Sequence, residues 1–165
     1  MKIERVQLVF VIIIMSLISC GIYYYNTKEK NIINLSNKSS KEYAAMGQRL
    51  WSSFECASWA SKSDNSIEAS KLFQIGYGQG KMFINAKNNN KIEKEDLSQE
   101  VPMGVLFLLN GPNEDFMIGK IYSAAEEEAL KDVYKTGEKF NTNDEQKNIA
   151  DNKFRMSNCQ LIENI

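Results

Sequence analysis

Residues 65–85 read NSIEASKLFQIGYGQGKMFIN, and this stretch decides the fold class. Asn65, followed three residues later by Glu68, is a capping-type helix start. Apolar or small residues then recur at spacings of three and four, which places them on one face of an α-helix. These residues are Ala69, Leu72, Phe73, Gly76, Tyr77, Gly80, Phe83 and Ile84. The stretch therefore predicts a long amphipathic helix that packs against other helices.

Three glycines lie inside this predicted helix, although each costs about 1 kcal/mol relative to alanine in a helix interior. Gly76 and Gly80 fall on the apolar face, whereas Gly78 does not. Small residues four apart allow a second helix to approach closely. We predict that Gly76 and Gly80 serve helix packing. A ligand or partner groove over the glycines is the alternative.

The segment before this stretch predicts the first helix of the domain. Ser39 and Glu42 form a capping-box pattern, and a turn-like sequence at 61–64 ends the helix. The residues predicted to share its apolar face are Tyr43, Gly47, Leu50, Trp51, Phe54 and Ala57.

The segment after the glycines predicts a loop and then a short helix. Residues 86–96 are polar and are expected to form an exposed loop. Pro102 suits a helix start, and the sequence Asn-Gly-Pro at 110–112 suits a helix end. The run between them is apolar all round, which predicts a short buried helix. A strand is the alternative, because so short a run does not separate the two.

Two more helices are predicted towards the C-terminus. Asn113 caps the first of them, and Gly137 lies where a C-terminal glycine stop is expected. Asn143 with Gln146 begins the last helix. The sequence thus predicts an all-α fold, a compact bundle of about five helices after an N-terminal apolar signal or anchor helix.

Cys56 in the first helix and Cys159 near the C-terminus are the two cysteines of this domain. A disulfide between them would close a loop of about 100 residues and attach the first helix to the last. Such bonds persist in oxidising compartments. We predict the disulfide, with two unrelated buried thiols as the alternative.

The N-terminus carries the clearest targeting signal. Residues 6–25, VQLVFVIIIMSLISCGIYYY, contain no charged side chain. Twenty helical residues extend about 30 Å, which is enough to cross the apolar part of a bilayer. This run therefore predicts either a membrane anchor or an export signal that is removed.

Leu17-Ile18-Ser19-Cys20 resembles the lipobox of bacterial lipoprotein precursors. The resemblance covers about the first 20 residues. It implies that residues 1–19 are removed and that Cys20 is lipidated as the first mature residue. An uncleaved anchor is the alternative, favoured by the tyrosines at 23–25 and by the lysines that follow the run. We expect the protein in the cell envelope, with residues 20–40 as a polar tether and 41–165 as the helical domain.

Composition excludes several kinds of function. The 20 basic and 21 acidic side chains give a net charge of −1, so we expect no nucleic-acid binding. Histidine is absent, which removes histidine-based triads and metal ligands. We predict no enzyme, no catalytic residue, no metal and no cofactor. The alternative is a small carboxylate-dependent cell-wall hydrolase that uses Glu55, with Asp115 as a second acid of interest.

Protein binding is the function that this pattern favours. Trp59 lies off the apolar stripe of its helix, and Glu126, Glu127 and Glu128 form an acidic run. Tryptophans anchor protein interfaces, so these four residues are the predicted partner contacts. The size and placement are typical of inhibitor, immunity or exclusion proteins. A purely structural envelope lipoprotein is a further alternative.

Overall fold

The computed structural model describes residues 38–164, and the apolar run and Cys20 lie outside them. The unit that begins at Ser39 contains six α-helices, one small hairpin and a terminal 3₁₀ helix, so this part of the chain is all-α. None of its helices is long and apolar enough to span a membrane. The elements are α1 (Ser40–Lys62), α2 (Ser66–Asn88), α3 (Lys94–Glu100), α4 (Met103–Leu108), α5 (Glu114–Tyr134), β1 (Lys135–Thr136), β2 (Lys139–Phe140), α6 (Asn143–Met156) and the 3₁₀ helix (Cys159–Asn164).

Side-chain caps define the α1–α2 hairpin. The Ser39 hydroxyl accepts a hydrogen bond from the Glu42 amide, and the Glu42 carboxylate accepts one from the Ser39 amide at 2.7 Å. This reciprocal capping box satisfies two amides that have no partner inside the helix. A turn with Asp64 at φ 64° reverses the chain, and the Asn65 side chain caps α2.

Gly76 and Gly80 lie in the contact between α2 and its neighbours. A Cβ added at Gly76 would lie 2.8 Å from the Phe54 ring, and one at Gly80 would lie 3.1 Å from Leu50 and Ile118. A Cβ added at Gly78 would meet nothing within 4 Å. The backbone of α2 therefore approaches α1 more closely than any other residue type at position 76 would allow.

Helix α1 is the central element of the bundle and contacts α2, α3, α5, α6 and the 3₁₀ helix. Its Phe54 ring is fully buried and packs on Phe73 and Tyr122, with ring centroids 5.4 Å and 5.2 Å apart. Every residue from Cys56 to Ala60 is buried, because neighbouring elements surround this part of α1.

The prediction of an exposed loop at 86–96 is wrong at both ends. Helix α2 continues to Asn88, and α3 begins at Lys94, which raises the number of helices to six. The Ser40 hydroxyl donates to Asp96 and accepts from the Glu93 amide, so the start of α1 holds the start of α3. These tertiary hydrogen bonds organise a polar sequence that has no apolar periodicity of its own.

The prediction that α4 is buried all round is also wrong. Val105 is fully buried, but the Met103 and Phe107 side chains are 58% and 70% exposed. The helix packs against α5, and a Cβ added at Gly104 would lie 2.8 Å from the Trp51 ring of α1. One face of a single short helix is therefore covered, and the other faces solvent.

Gly137 does not stop a helix directly. Helix α5 ends at Tyr134, and Gly137, at φ 61°, lies in the turn of the β1–β2 hairpin. The last helix is capped by Thr142 with Glu145, one residue before the predicted pair. Both differences follow from hairpin pairing, which brings the Asn141 amide to the Tyr134 carbonyl oxygen at 2.9 Å.

The predicted last helix is interrupted before Cys159. Helix α6 ends at Met156, and Asn158 adopts a left-handed conformation at φ 53° before the 3₁₀ helix begins. Asparagine tolerates this conformation better than most residues. The chain thereby turns back onto α1, where Cys159 forms the disulfide with Cys56.

Candidate functional site

An open groove of about 550 Å³ lies between α1 and the C-terminal 3₁₀ helix. One wall is a stripe of α1 that begins at Gln48 and ends at Trp59. The other wall begins at Ser157 and ends at Ile162. The eleven helical steps from Gln48 to Trp59 rise about 16 Å, which matches about five residues of extended chain.

The disulfide forms the base of this groove and holds its second wall in place. Cys56 and Cys159 are both buried, and their Cα atoms are 5.6 Å apart. The predicted cysteine pair therefore lies at the site, and the bond fixes the 3₁₀ helix against α1. The 3₁₀ helix also contacts α2 and α6, and such tertiary contacts matter because the hydrogen-bond geometry inside a 3₁₀ helix is poor.

Apolar side chains occupy the end of the groove near the disulfide. Trp59 is only 8% exposed, and its indole N–H donates to the Ala129 carbonyl oxygen at 2.8 Å. The Lys153 ammonium lies 5.9 Å from the Trp59 ring centroid. Leu161, which is 52% exposed, and Ile162 line the groove from the 3₁₀ helix, and Ile162 packs against the buried cluster that contains Trp59. Most of the tryptophan is thus structural, and its accessible edge faces the groove.

Glu55 is a partly buried acid in the middle of the groove. Burial raises the pKa of its carboxyl above the usual range, and the nearby Glu128 carboxylate raises it further. A hydrogen bond from the Trp51 indole and the charge of Lys153 oppose this rise. Removal from water disfavours the charged form of a carboxyl group, which explains the direction of the shift.

Arg49 provides a positive charge at the other end of the groove. Its side chain is partly buried, and within residues 38–164 it forms no ion pair. Gln48 and Ser52 lie beside it on α1. Guanidinium groups bind carboxylates and phosphates through two parallel hydrogen bonds. This end of the groove can therefore bind an anionic group.

Two of the three predicted acidic contacts, Glu127 and Glu128, line a neighbouring groove of about 520 Å³ together with Trp51 and Tyr134. Glu126 is not part of that lining and accepts a hydrogen bond from the Tyr122 hydroxyl at 3.2 Å. Because the Trp51 indole also bonds Glu55, the two grooves are adjacent. Trp59 and Glu128 therefore both lie near Glu55, but they line two separate grooves.

The remaining predicted residues lie elsewhere. Asp115 accepts hydrogen bonds from Tyr77 at 2.8 Å and from Lys81 at 3.0 Å, and it does not line the groove. The hydrogen bond from Tyr77, followed by that from Lys81, lowers the pKa of Asp115. Gly76 and Gly80 lie between helices, and Cys20 falls outside the described residues.

Sequence reasoning missed Arg49, Ser52 and Leu161 as site residues. Arg49 and Ser52 have the spacing of a solvated polar face on α1, and nothing in the pattern separates them from other exposed positions. They line a groove because the C-terminal segment lies across from them in the folded domain. A polar stripe opposite a disulfide-linked segment would have been the available clue.

No protein-family model matches this chain, and no match is found among curated proteins or solved structures.

Proposed function

We propose that this protein is an exported, membrane-anchored binding protein of the bacterial cell envelope. It binds another protein, as inhibitor, immunity or exclusion proteins do. The apolar run and the lipobox at Cys20 support attachment to a membrane by a lipid or by an uncleaved anchor. The Cys56–Cys159 disulfide supports a domain that faces the periplasm or the exterior, because such bonds persist in oxidising compartments.

The observation that carries this proposal is the groove along α1. It runs along the central helix, and it combines a positive charge at Arg49 with apolar side chains at Trp59, Leu161 and Ile162. Its open shape and its length of about 16 Å suit an extended protein segment. The occupant that we propose is therefore a segment of a partner protein.

The experiment is a capture from native envelopes with the full chain, tagged after Ile165 and extracted in mild detergent. Two matched variants carry the same bulky substitution. Ser52→Arg fills the groove, whereas Ser123→Arg lies on an exposed position of α5 that does not line it. We expect wild type and Ser123→Arg to capture one stoichiometric protein and Ser52→Arg to lose it.

Two results would overturn the proposal. Equal capture by both variants would show that the partner binds elsewhere. Capture of no stoichiometric protein, even after chemical crosslinking, would remove protein binding and favour a purely structural envelope lipoprotein. In that case deletion of the gene should alter envelope integrity without loss of any specific complex.

A carboxylate-dependent hydrolase is the second candidate, favoured by the raised pKa of Glu55 inside a groove. Glycosidases of this type use two carboxyl groups, one on each side of the bond. Among the residues that line the groove within the described chain, Glu55 is the one acid. A hydrolase would release soluble cell-wall fragments and lose this activity in Glu55→Gln. A binding protein would release none in either form.

A further inference from the structure

The two ends of the groove differ in chemistry, and this difference constrains what can bind there. Arg49 and Trp59 are ten residues apart on one helix, which corresponds to about 15 Å. An extended chain covers that distance in four to five residues, at about 3.3 Å each. A ligand that contacts both ends must therefore place two different groups about four residues apart.

We propose that the groove binds an extended segment of the partner through a carboxylate at Arg49 and an apolar side chain at Trp59 and Leu161. The carboxylate belongs to an aspartate, a glutamate or the partner's C-terminus. This inference rests on the proposed function and specifies the chemistry of the same site.

The charges of the groove lining favour an acidic segment. The Arg49 guanidinium has no ion-pair partner within residues 38–164, so a bound carboxylate would supply one. Glu55 is the one acid that lines the groove within these residues, and it lies six residues further along α1, which corresponds to about 9 Å. A partner carboxylate in direct contact with Arg49 would interact with it more strongly than Glu55 does at that separation.

The polar groups between the two ends suit a peptide backbone. Ser52 and Asn158 lie on opposite walls, and Glu55 lies between Arg49 and Trp59 along α1. Hydroxyl, amide and carboxyl groups can pair with the N–H and C=O groups of an extended chain. Because burial of an unpaired backbone group is costly, such partners are needed along the whole groove.

Charge also argues against the chain's own tether as the occupant. The tether carries Lys28 and Lys30 with Glu29 between them, so this part of it has a net positive charge. The Arg49 guanidinium is positively charged as well. Like charges placed together in an interface are unfavourable. A second copy of this chain is the other self-derived occupant, and the experiment below distinguishes it by mass.

The first step is photo-crosslinking in cells with the full chain carrying Gln48→benzoylphenylalanine, because Gln48 lines the groove at an exposed position and leaves Ser52 unchanged. Mass spectrometry of the crosslinked product identifies the captured segment. We expect a partner segment with a carboxylate and an apolar side chain about four residues apart. A crosslink to residues 1–37 of the same chain, to a second copy, or to a segment without a carboxylate would overturn the inference.

The second step measures the dissociation constant of that segment, made as a synthetic peptide, with the detergent-solubilised full chain. Arg49→Gln should weaken binding about tenfold or more, and Arg49→Lys should weaken it less. Arg155→Gln is the matched control, because Arg155 pairs with Asp151 at 2.7 Å and does not line the groove. We expect the control to bind as tightly as wild type.

A double-mutant cycle then tests whether Arg49 and the peptide's carboxylate interact directly. Replacing the peptide's carboxylate by an amide should weaken binding to wild type about tenfold, and should weaken binding to Arg49→Gln much less. Equal loss in both proteins would overturn the role of Arg49, and so would binding of the unmodified peptide to Arg49→Gln as tight as to wild type. Capture of a partner that does not crosslink to Gln48→benzoylphenylalanine and that Ser52→Arg does not affect would overturn the groove while protein binding stands, which separates the two failures.

Discussion

The contact at Gly76 allows a sharp test of how closely α1 and α2 approach, because the same helix contains a matched control. A Cβ at position 76 would lie 2.8 Å and 2.9 Å from two Phe54 ring atoms and 3.1 Å from the Ser53 Cβ. A Cβ at Gly78 would meet nothing within 4 Å. The variants Gly76→Ala and Gly78→Ala thus make one chemical change in two different environments.

The magnitude follows from two opposing terms. Alanine stabilises a helix interior by about 1 kcal/mol relative to glycine, and both variants gain this amount. Only Gly76→Ala must also displace the Phe54 ring, which is fully buried and packs on Phe73 and Tyr122. Overpacking of this kind costs about 1–3 kcal/mol. We therefore expect Gly78→Ala to be the more stable variant by about 1–3 kcal/mol.

The assay is urea unfolding of the full chain in mild detergent, followed by far-ultraviolet circular dichroism. The midpoint and slope give the free energy of unfolding for each variant. If the two variants agree within about 0.5 kcal/mol, the close approach of α1 and α2 at Gly76 is wrong. As a further check, Phe54→Ala should remove most of the difference, because it empties the space that the added methyl group needs.

Two other predictions concern the disulfide and the α6 cap. Cys56 and Cys159 are 103 positions apart. Reduction of their disulfide should lower the free energy of unfolding by up to about 4.7 kcal/mol, the chain-entropy value for a loop of about 100 residues. An unchanged urea midpoint after reduction would contradict this prediction. Hydrogen bonds from the Thr142 amide, then from Lys139 and the Thr142 hydroxyl, lower the pKa of Glu145 to about 2. The ionised Glu145 carboxylate therefore stabilises the fold fully above pH 4.5, and this stabilisation is lost as the pH falls towards 2. Glu145→Gln should weaken the dependence of the free energy of unfolding on pH in this range. If NMR shows that Glu145 titrates near pH 4.5, the prediction is refuted.

The comparison of sequence with structure is most informative at α3, α4 and the C-terminus. Residues 94–100 carry no helical periodicity, and their helix is held by a hydrogen bond that Ser40 donates to Asp96 and one that it accepts from the Glu93 amide, from more than 50 residues away. The apolar run of α4 is expected to be buried, but Val105 is the one fully buried residue of this six-residue helix. The left-handed residue Asn158 ends the last α-helix three residues before the predicted stripe reaches Leu161, and a helical stripe does not encode such an interruption.

The candidate site was only partly accessible to sequence reasoning. Cys56, Cys159, Trp59 and Glu55 were identified because cysteine pairs, tryptophans and partly apolar acids stand out by residue type. Arg49 was not, because a lone arginine on a polar helix face has the same pattern whether it is solvated or lies in a groove. Its environment is created by a segment more than 100 residues later in the chain.

By itself the sequence determined the all-α class and the starts of α1, α2 and α5, and it predicted the pairing of the two cysteines in the domain. These features depend on interactions within a few residues, or on the presence of one possible cysteine partner, so local pattern is sufficient. Only the tertiary structure decided the groove along α1. A groove exists where two distant walls fail to meet, and its volume and charge depend on packing that no single segment encodes.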